Sequence, residues 1–233
     1  MKNIIIVGAG KGIGLKTAQL LNNGNNLVTI SRNSTVELED LNTHFYKLDI
    51  TKDSLDILID LPEQIDALIY CPGSINLKPF NRLSIQDFLK DFNQNVLGAV
   101  SIIQKALPNL KKANGASIVL FSSVAAKIGL PYHSSISTSK AAIEGLALSL
   151  AAELASFKIR VNVIAPSLID TPLTSSLLNT IEKREASSKR HPLQRIGTAQ
   201  EIAHLVSFLI NDNSSWITGQ IIGADGGMGS LKI

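Results

Sequence analysis

The chain reads as an α/β protein: one domain, residues 1–233, built on a doubly wound, seven-stranded parallel sheet. Seven short apolar runs supply the strands, helical periodicity fills most of the gaps between them, and no Pro, Gly or Ser tract is long enough to divide the chain. Continuously apolar strands separated by helices imply a sheet covered on both faces and wound by right-handed crossovers.

The first run, residues 3–7, is β-branched, and the apolar positions that follow it, Ile13, Ala18, Leu20 and Leu21, recur at helical spacing. The turn cluster Asn22-Asn23-Gly24-Asn25-Asn26 ends that helix. Further strands are predicted at 27–30, 45–48, 67–70, 116–121, 160–164 and 220–222, with long helices over 84–110, 137–154 and 199–210. Trp216 and the apolar strand after it are expected in the core or at a subunit interface.

With 45% apolar and 18% charged residues and a net charge of +3, the composition excludes disorder and collagen-like or disulfide-stapled scaffolds. The single cysteine, Cys71, has no partner for an internal bridge, and no leader pattern follows Met1, so a reducing, cytoplasmic compartment is expected. No apolar run nears the roughly 20 residues that span a bilayer. Basic residues cluster only at Lys183, Arg184, Lys189 and Arg190, which does not make a nucleic-acid footprint. His44, His191 and His204 have no ligand grouping at metal spacing, so no metal site is expected.

The segment Val7-Gly8-Ala9-Gly10-Lys11-Gly12-Ile13-Gly14 leaves the first strand and opens the first helix. Glycines there let the backbone approach a pyrophosphate, and the free amides of the helix start attract its charge, as in a Rossmann fold. The second strand ends in Ser31, Arg32 and Asn33, with no acid to grip the ribose hydroxyls of NAD. Ser31, Arg32 and Lys11 instead offer a hydroxyl and two cations to a 2′-phosphate, so NADP(H) is preferred over NAD(H).

With its GxxxGxG turn at Gly8, Gly12 and Gly14, the chain resembles the short-chain dehydrogenase/reductase family over nearly its whole length. Asp49-Ile50 resembles the adenine-contacting pair, and Asn95 matches the family's helix asparagine. Ser123 in Ser122-Ser123 matches the active-site serine, and Lys140 in Ser139-Lys140-Ala141-Ala142 matches the lysine. The stretch from Asn162 through Pro166 and Ile169 to Thr171-Pro172 resembles the nicotinamide loop. The tail from Arg195-Ile196-Gly197 to Asp225-Gly226-Gly227 fits as well.

Three departures stand out. The family's Asn-Asn-Ala-Gly is Tyr70-Cys71-Pro72-Gly73 here, keeping only Gly73, and the loop's Pro-Gly is Pro166-Ser167. The third concerns the proton donor: the family's tyrosine lies four residues before the lysine, a position held here by Ile136. Losing one positioned acid/base group costs about 10² to 10⁴ in rate.

At about 100° per helical residue, His133, seven before Lys140, falls within about 20° of the lysine's face if the helix reaches that far. Histidine both donates and accepts a proton near neutral pH, so it is the leading replacement. Tyr132 lies about 80° off that face, and Ser134 and Ser135 are poorer donors that would act through water. Enoyl reductases of the superfamily resemble this arrangement, with methionine at the fourth position before the lysine and tyrosine at the seventh.

The resemblance implies an NADP(H)-dependent oxidoreductase acting on a small carbonyl or alcohol, with Ser123, Lys140, Asn95 and His133 at the reaction centre. Alternatives are an NADP-binding regulator or inactive partner subunit, and an enoyl-thioester reductase. It further implies a substrate lid around residues 172–190, where Leu173, Leu177, Leu178 and Ile181 share one possible helical face. A homodimer or homotetramer would form through the helices near 95–110 and 137–154.

Overall fold

A computed structural model describes residues 1–232, so Ile233 of the expected domain lies outside it. The order along the chain is β1 (Asn3–Val7), α1 (Gly12–Leu21), β2 (Asn26–Ser31), α2 (Val36–Glu39), β3 (Thr43–Lys47), β4 (Ala67–Tyr70) and α3 (Ile85–Phe92). It continues with α4 (Gly98–Lys112), β5 (Ala116–Phe121), α5 (Ser134–Leu154), β6 (Ile159–Pro166), β7 (Ile169–Asp170), α6 (Ile181–Ser188), β8 (Gly197–Thr198), α7 (Ala199–Leu209) and β9 (Ile221–Ala224).

Seven of the strands form one parallel sheet in the order β3-β2-β1-β4-β5-β6-β9. Because successive side chains alternate faces, Ile4 and Ile6 pack with α1 and α7 on one side, while Ile5 and Val7 pack with α4 and α5 on the other. Both sides are dry. Ile5, Ile6, Leu68, Ile69, Ile118 and Val119 are all fully buried, which is why the middles of these strands are apolar on both faces. The chain leaves β1 toward β2 on one side and reaches β4 on the other, and this reversal opens a crevice beyond Val7 and Tyr70.

All seven expected strands are present, with ends shifted by a residue or two. The helix expected over 84–110 is instead divided. Ser84 and Asp87 form a capping box that starts α3; a π-helical turn, Asn93–Leu97, follows; and α4 begins at Gly98. An inserted residue in a π turn leaves apolar spacing on either side intact, so periodicity reads through it. The helix expected from 137 starts earlier, at Ser134, with His133 in the N-cap position. The lid segment also differs: Leu178 is buried but Leu173 and Ile181 are exposed, because a 3₁₀ turn at Ser175–Leu177 and the Thr180 cap of α6 interrupt any single helical face. Trp216 is 98% exposed, which removes it from the core.

At the start of α4, Gly98 packs on Tyr70, whose hydroxyl donates to the Gln94 carbonyl at 2.6 Å. Burial and the Asp49 charge push the Tyr70 phenol well above its ordinary range, so it stays a neutral donor. A Cβ on Gly98 would collide with that hydroxyl and lie 3.2 Å from Ile50 Cγ2. Gly98→Ala is therefore expected to cost about 1–3 kcal/mol by overpacking, read as a lower midpoint in urea unfolding; an unchanged midpoint would contradict this packing.

Candidate active site

The turn after β1 is shaped by close approach. Gly8 sits at φ +82° and its N–H reaches the Ile30 carbonyl at 2.7 Å, while a Cβ on Gly14 would strike the Gly8 carbonyl. No side chain caps α1 and no acid stands in its first turn, so its leading amides are available to an anion. They face a cleft of about 330 Å³ lined by Gly8, Gly10, Lys11, Gly12, Ile13 and Gly14, together with Ser31, Arg32, Asp49, Ile50, Gly73 and Thr171. Lys140, Pro166 and Ile169, the other expected cofactor contacts, line the adjoining cavity instead.

Arg32 has no ion-pair or hydrogen-bond partner among the described residues, whereas Ser31 Oγ donates to the Asn33 carbonyl at 2.7 Å. Burial works to raise the Asp49 carboxyl, but hydrogen bonds from Thr51 and the charges of Lys52 and Arg32 hold it below its ordinary value.

The second cavity, about 490 Å³, shares Ile13, Cys71, Gly73, Thr171 and Leu173 with the cleft, so the two spaces join. Ser123, His133, Ile136 and Lys140 line it together. Lys140 is buried, with Nζ donating to the Phe121 carbonyl at 2.8 Å. Burial pulls its pKa down to about 8, against the opposing influence of Asp91 and Cys71. Burial also pushes the Cys71 thiol up to about 12, which keeps it protonated and unreactive at neutral pH.

Ser123 Oγ accepts from the Ala125 amide at 3.2 Å, which leaves its proton free to donate into the cavity. The π turn carries Asn95 to a buried position where Nδ2 lies 2.8 Å from the Asp91 carbonyl, 3.1 Å from Ser74 Oγ and 3.2 Å from Ser139 Oγ. Its Oδ1 is buried without a hydrogen-bond partner among the described residues.

His133 Nδ1 stands 2.6 Å from the Pro131 carbonyl. A carbonyl only accepts, so Nδ1 carries the proton and Nε2 is the nitrogen left to exchange one. Tyr132 is not brought in: at φ +68° it is 59% exposed and absent from the cavity wall. His191, no ligand candidate in the sequence, is buried between Ser167 Oγ at 2.8 Å and the Ser187 carbonyl at 2.9 Å, on the same cavity wall.

Two residues of this neighbourhood escaped sequence reasoning. Asp91 is 1% exposed, and it accepts from the hydroxyls of Ser74, a cavity-lining residue, and Ser135. The available signal was the four-residue spacing from Asp91 to Asn95, which puts both on one helical face.

A family model described as enoyl-(acyl carrier protein) reductase matches residues 8–229. The 3-oxoacyl-[acyl-carrier-protein] reductase FabG of Thermotoga maritima is 32% identical, covering 97% of this chain and 97% of that protein. The crystal structure of a short chain dehydrogenase family protein from Francisella tularensis matches with a TM-score of 0.90 at 31% identity, over 99% of this chain and 100% of that one. The structure of ElxO with NADP bound matches with a TM-score of 0.89 at 29% identity, over 99% of this chain and 100% of that one.

The folded value of Lys140, about 8, lies below its ordinary 10.5. Between the two the unfolded chain holds a proton that the folded chain has given up, so this residue's contribution to stability rises with pH across that window. As pH increases from about 8 toward 9.0, the ordinary cysteine value, the wild type should gain melting temperature relative to Lys140→Met. A pH-independent difference in calorimetry would contradict the assignment.

Proposed function

The chain belongs to the short-chain dehydrogenase/reductase family, and on that footing we propose an NADP(H)-dependent oxidoreductase that moves a hydride between nicotinamide and a small carbonyl or alcohol, with a group other than tyrosine exchanging the proton. The observation that carries this reading is the joining of the two cavities, one holding Ser123 and Lys140 and the other walled by the glycine turn.

The uncapped start of α1 and the glycine turn suit the pyrophosphate, and the unpaired Arg32 with Lys11 suits a 2′-phosphate. Lys140 and the loop through Pro166, Ile169 and Thr171 are assigned to the nicotinamide side. When bound, NADP(H) supplies or takes the hydride. Ser123 donates its free proton in a hydrogen bond to the substrate oxygen, and Lys140 adds positive charge beside it. His133 Nε2 exchanges the proton: as a base when an alcohol is oxidised, and as imidazolium when a carbonyl is reduced. Asn95 supports the helix wall behind Gly73.

A second reading has Ile136 behind it: an NADP-binding regulator or partner subunit that does not turn over. An enoyl-thioester reductase is favoured by the description of the matching family model, and a 3-oxo thioester reductase by the name of the Thermotoga relative. For a homodimer or homotetramer, the exposed Leu97 before α4, Leu148 on α5 and Trp216 are the apolar side chains to cover.

These readings separate in one experiment. Purified wild type and His133→Ala are titrated with NADPH and NADH by fluorescence, and NADPH loss is followed with diketones, quinones, 3-oxo thioesters and 2-enoyl thioesters. NADPH should bind more tightly than NADH, and His133→Ala should lose about 10² to 10⁴ in kcat with NADPH affinity kept. Tight NADPH binding with no turnover would favour the regulator, consumption of 2-enoyl thioesters alone the enoyl reductase, and unchanged kcat in His133→Ala would remove the histidine.

A further inference from the structure

One hydroxyl on the wall of the second cavity has its orientation set from behind. Ser74 Oγ donates to Asp91 Oδ1 at 2.6 Å, and Ser135 Oγ donates to Asp91 Oδ2 at 2.5 Å. Asp91 is 1% exposed and has no ion-pair partner among the described residues. A carboxylate offers acceptors only, so both serine protons are committed to it.

A serine hydroxyl holds one proton and two lone pairs. At Ser74 the proton goes to Asp91 and one lone pair takes the Asn95 amide at 3.1 Å. What Ser74 can still offer is a single lone pair. Asn95 Oδ1, buried and unpartnered, backs the same corner: it lies 3.7 Å from where a Cβ of Gly73 would stand, and Lys140 Nζ lies 3.8 Å from that point. Ser74 lines the second cavity and follows Gly73, which lines both, so its open acceptor stands beside the place where the two cavities join. An acceptor left unmatched when a ligand covers it costs free energy, which a donor on the ligand recovers.

We propose that Ser74, locked by Asp91 as an acceptor, selects substrates that carry a hydroxyl donor in addition to the reacting group: hydroxy ketones and the corresponding diols. The proposal rests on the carbonyl and alcohol reading above and deepens it by naming a substrate class. Asp91 acts through Ser74 and is a positioning residue. Its carboxylate makes the selection one-sided, because a serine free to rotate would serve donors and acceptors alike, whereas this one rejects an ether or a second carbonyl.

The test uses matched ketones: hydroxyacetone against acetone, 2-hydroxycyclohexanone against cyclohexanone, and methoxyacetone as the acceptor-only analogue. NADPH oxidation is followed in wild type, Ser74→Ala and Asp91→Asn, with NADPH affinity checked in each. Wild type should favour the hydroxylated ketone about tenfold in kcat/KM beyond the preference that remains in Ser74→Ala, the worth of one well-placed hydrogen bond. Asp91→Asn can donate to Ser74 and release its proton toward the cavity, so methoxyacetone should gain on hydroxyacetone. A role confined to folding would leave that ratio unmoved.

Ketones consumed with equal hydroxyl preference in wild type and Ser74→Ala, or an unmoved methoxy-to-hydroxy ratio in Asp91→Asn, would overturn the proposal and leave the oxidoreductase reading standing. NADPH consumption by none of the ketones would bring down both.

Discussion

A buried ammonium tied to the end of a strand organises this protein's site. Lys140 reaches from α5 to the last carbonyl of β5, so the helix and the sheet are fixed to one another where the cofactor cleft meets the second cavity. An ammonium in that position is disfavoured by lost hydration, and burial pulls its pKa down to about 8. The buried carboxylate of Asp91 opposes that shift. Asp91 in turn binds Ser74 and Ser135, and the same helix continues into the π turn that carries Asn95 inward. Charge compensation and the shape of the cavity wall are thus one set of contacts.

That dependence gives the isoleucine at position 136 its meaning. Ile136 is 6% exposed and lines the second cavity, so an apolar side chain stands at the position that corresponds to the family's proton donor. The polar groups around it are undisturbed: Ser123 keeps a free proton, Lys140 keeps its anchor, and His133 is held in one tautomer by the Pro131 carbonyl. In the proposed function, proton exchange moves from the position four residues before the lysine to His133, just ahead of α5.

The sheet was legible in the sequence because its strands are buried on both faces. A short unbroken run such as Ile4-Ile5-Ile6-Val7 suits a strand covered on both faces, and the glycine turn is read from one contiguous segment. Two of the misreadings share a cause. Apolar periodicity continues across the π turn at Asn93–Leu97 and across the 3₁₀ turn at Ser175–Leu177, so it reports one helix where the backbone makes two pieces. The Ser74, Asp91 and Ser135 cluster was illegible for a different reason. Its members lie 17 and 44 residues apart, and each alone is an ordinary polar residue. The packing of α3 against α5, with the segment after β4 laid beside them, makes them a unit.

The proposed function has this site transfer hydride without the tyrosine. Its most direct test is to supply NADPH carrying deuterium at nicotinamide C4 on either face, together with a panel of small carbonyl compounds, and to analyse the alcohols by mass spectrometry and NMR. Deuterium from one face alone is expected on the carbinol carbon. Bound NADPH that keeps its label against every carbonyl compound would contradict it.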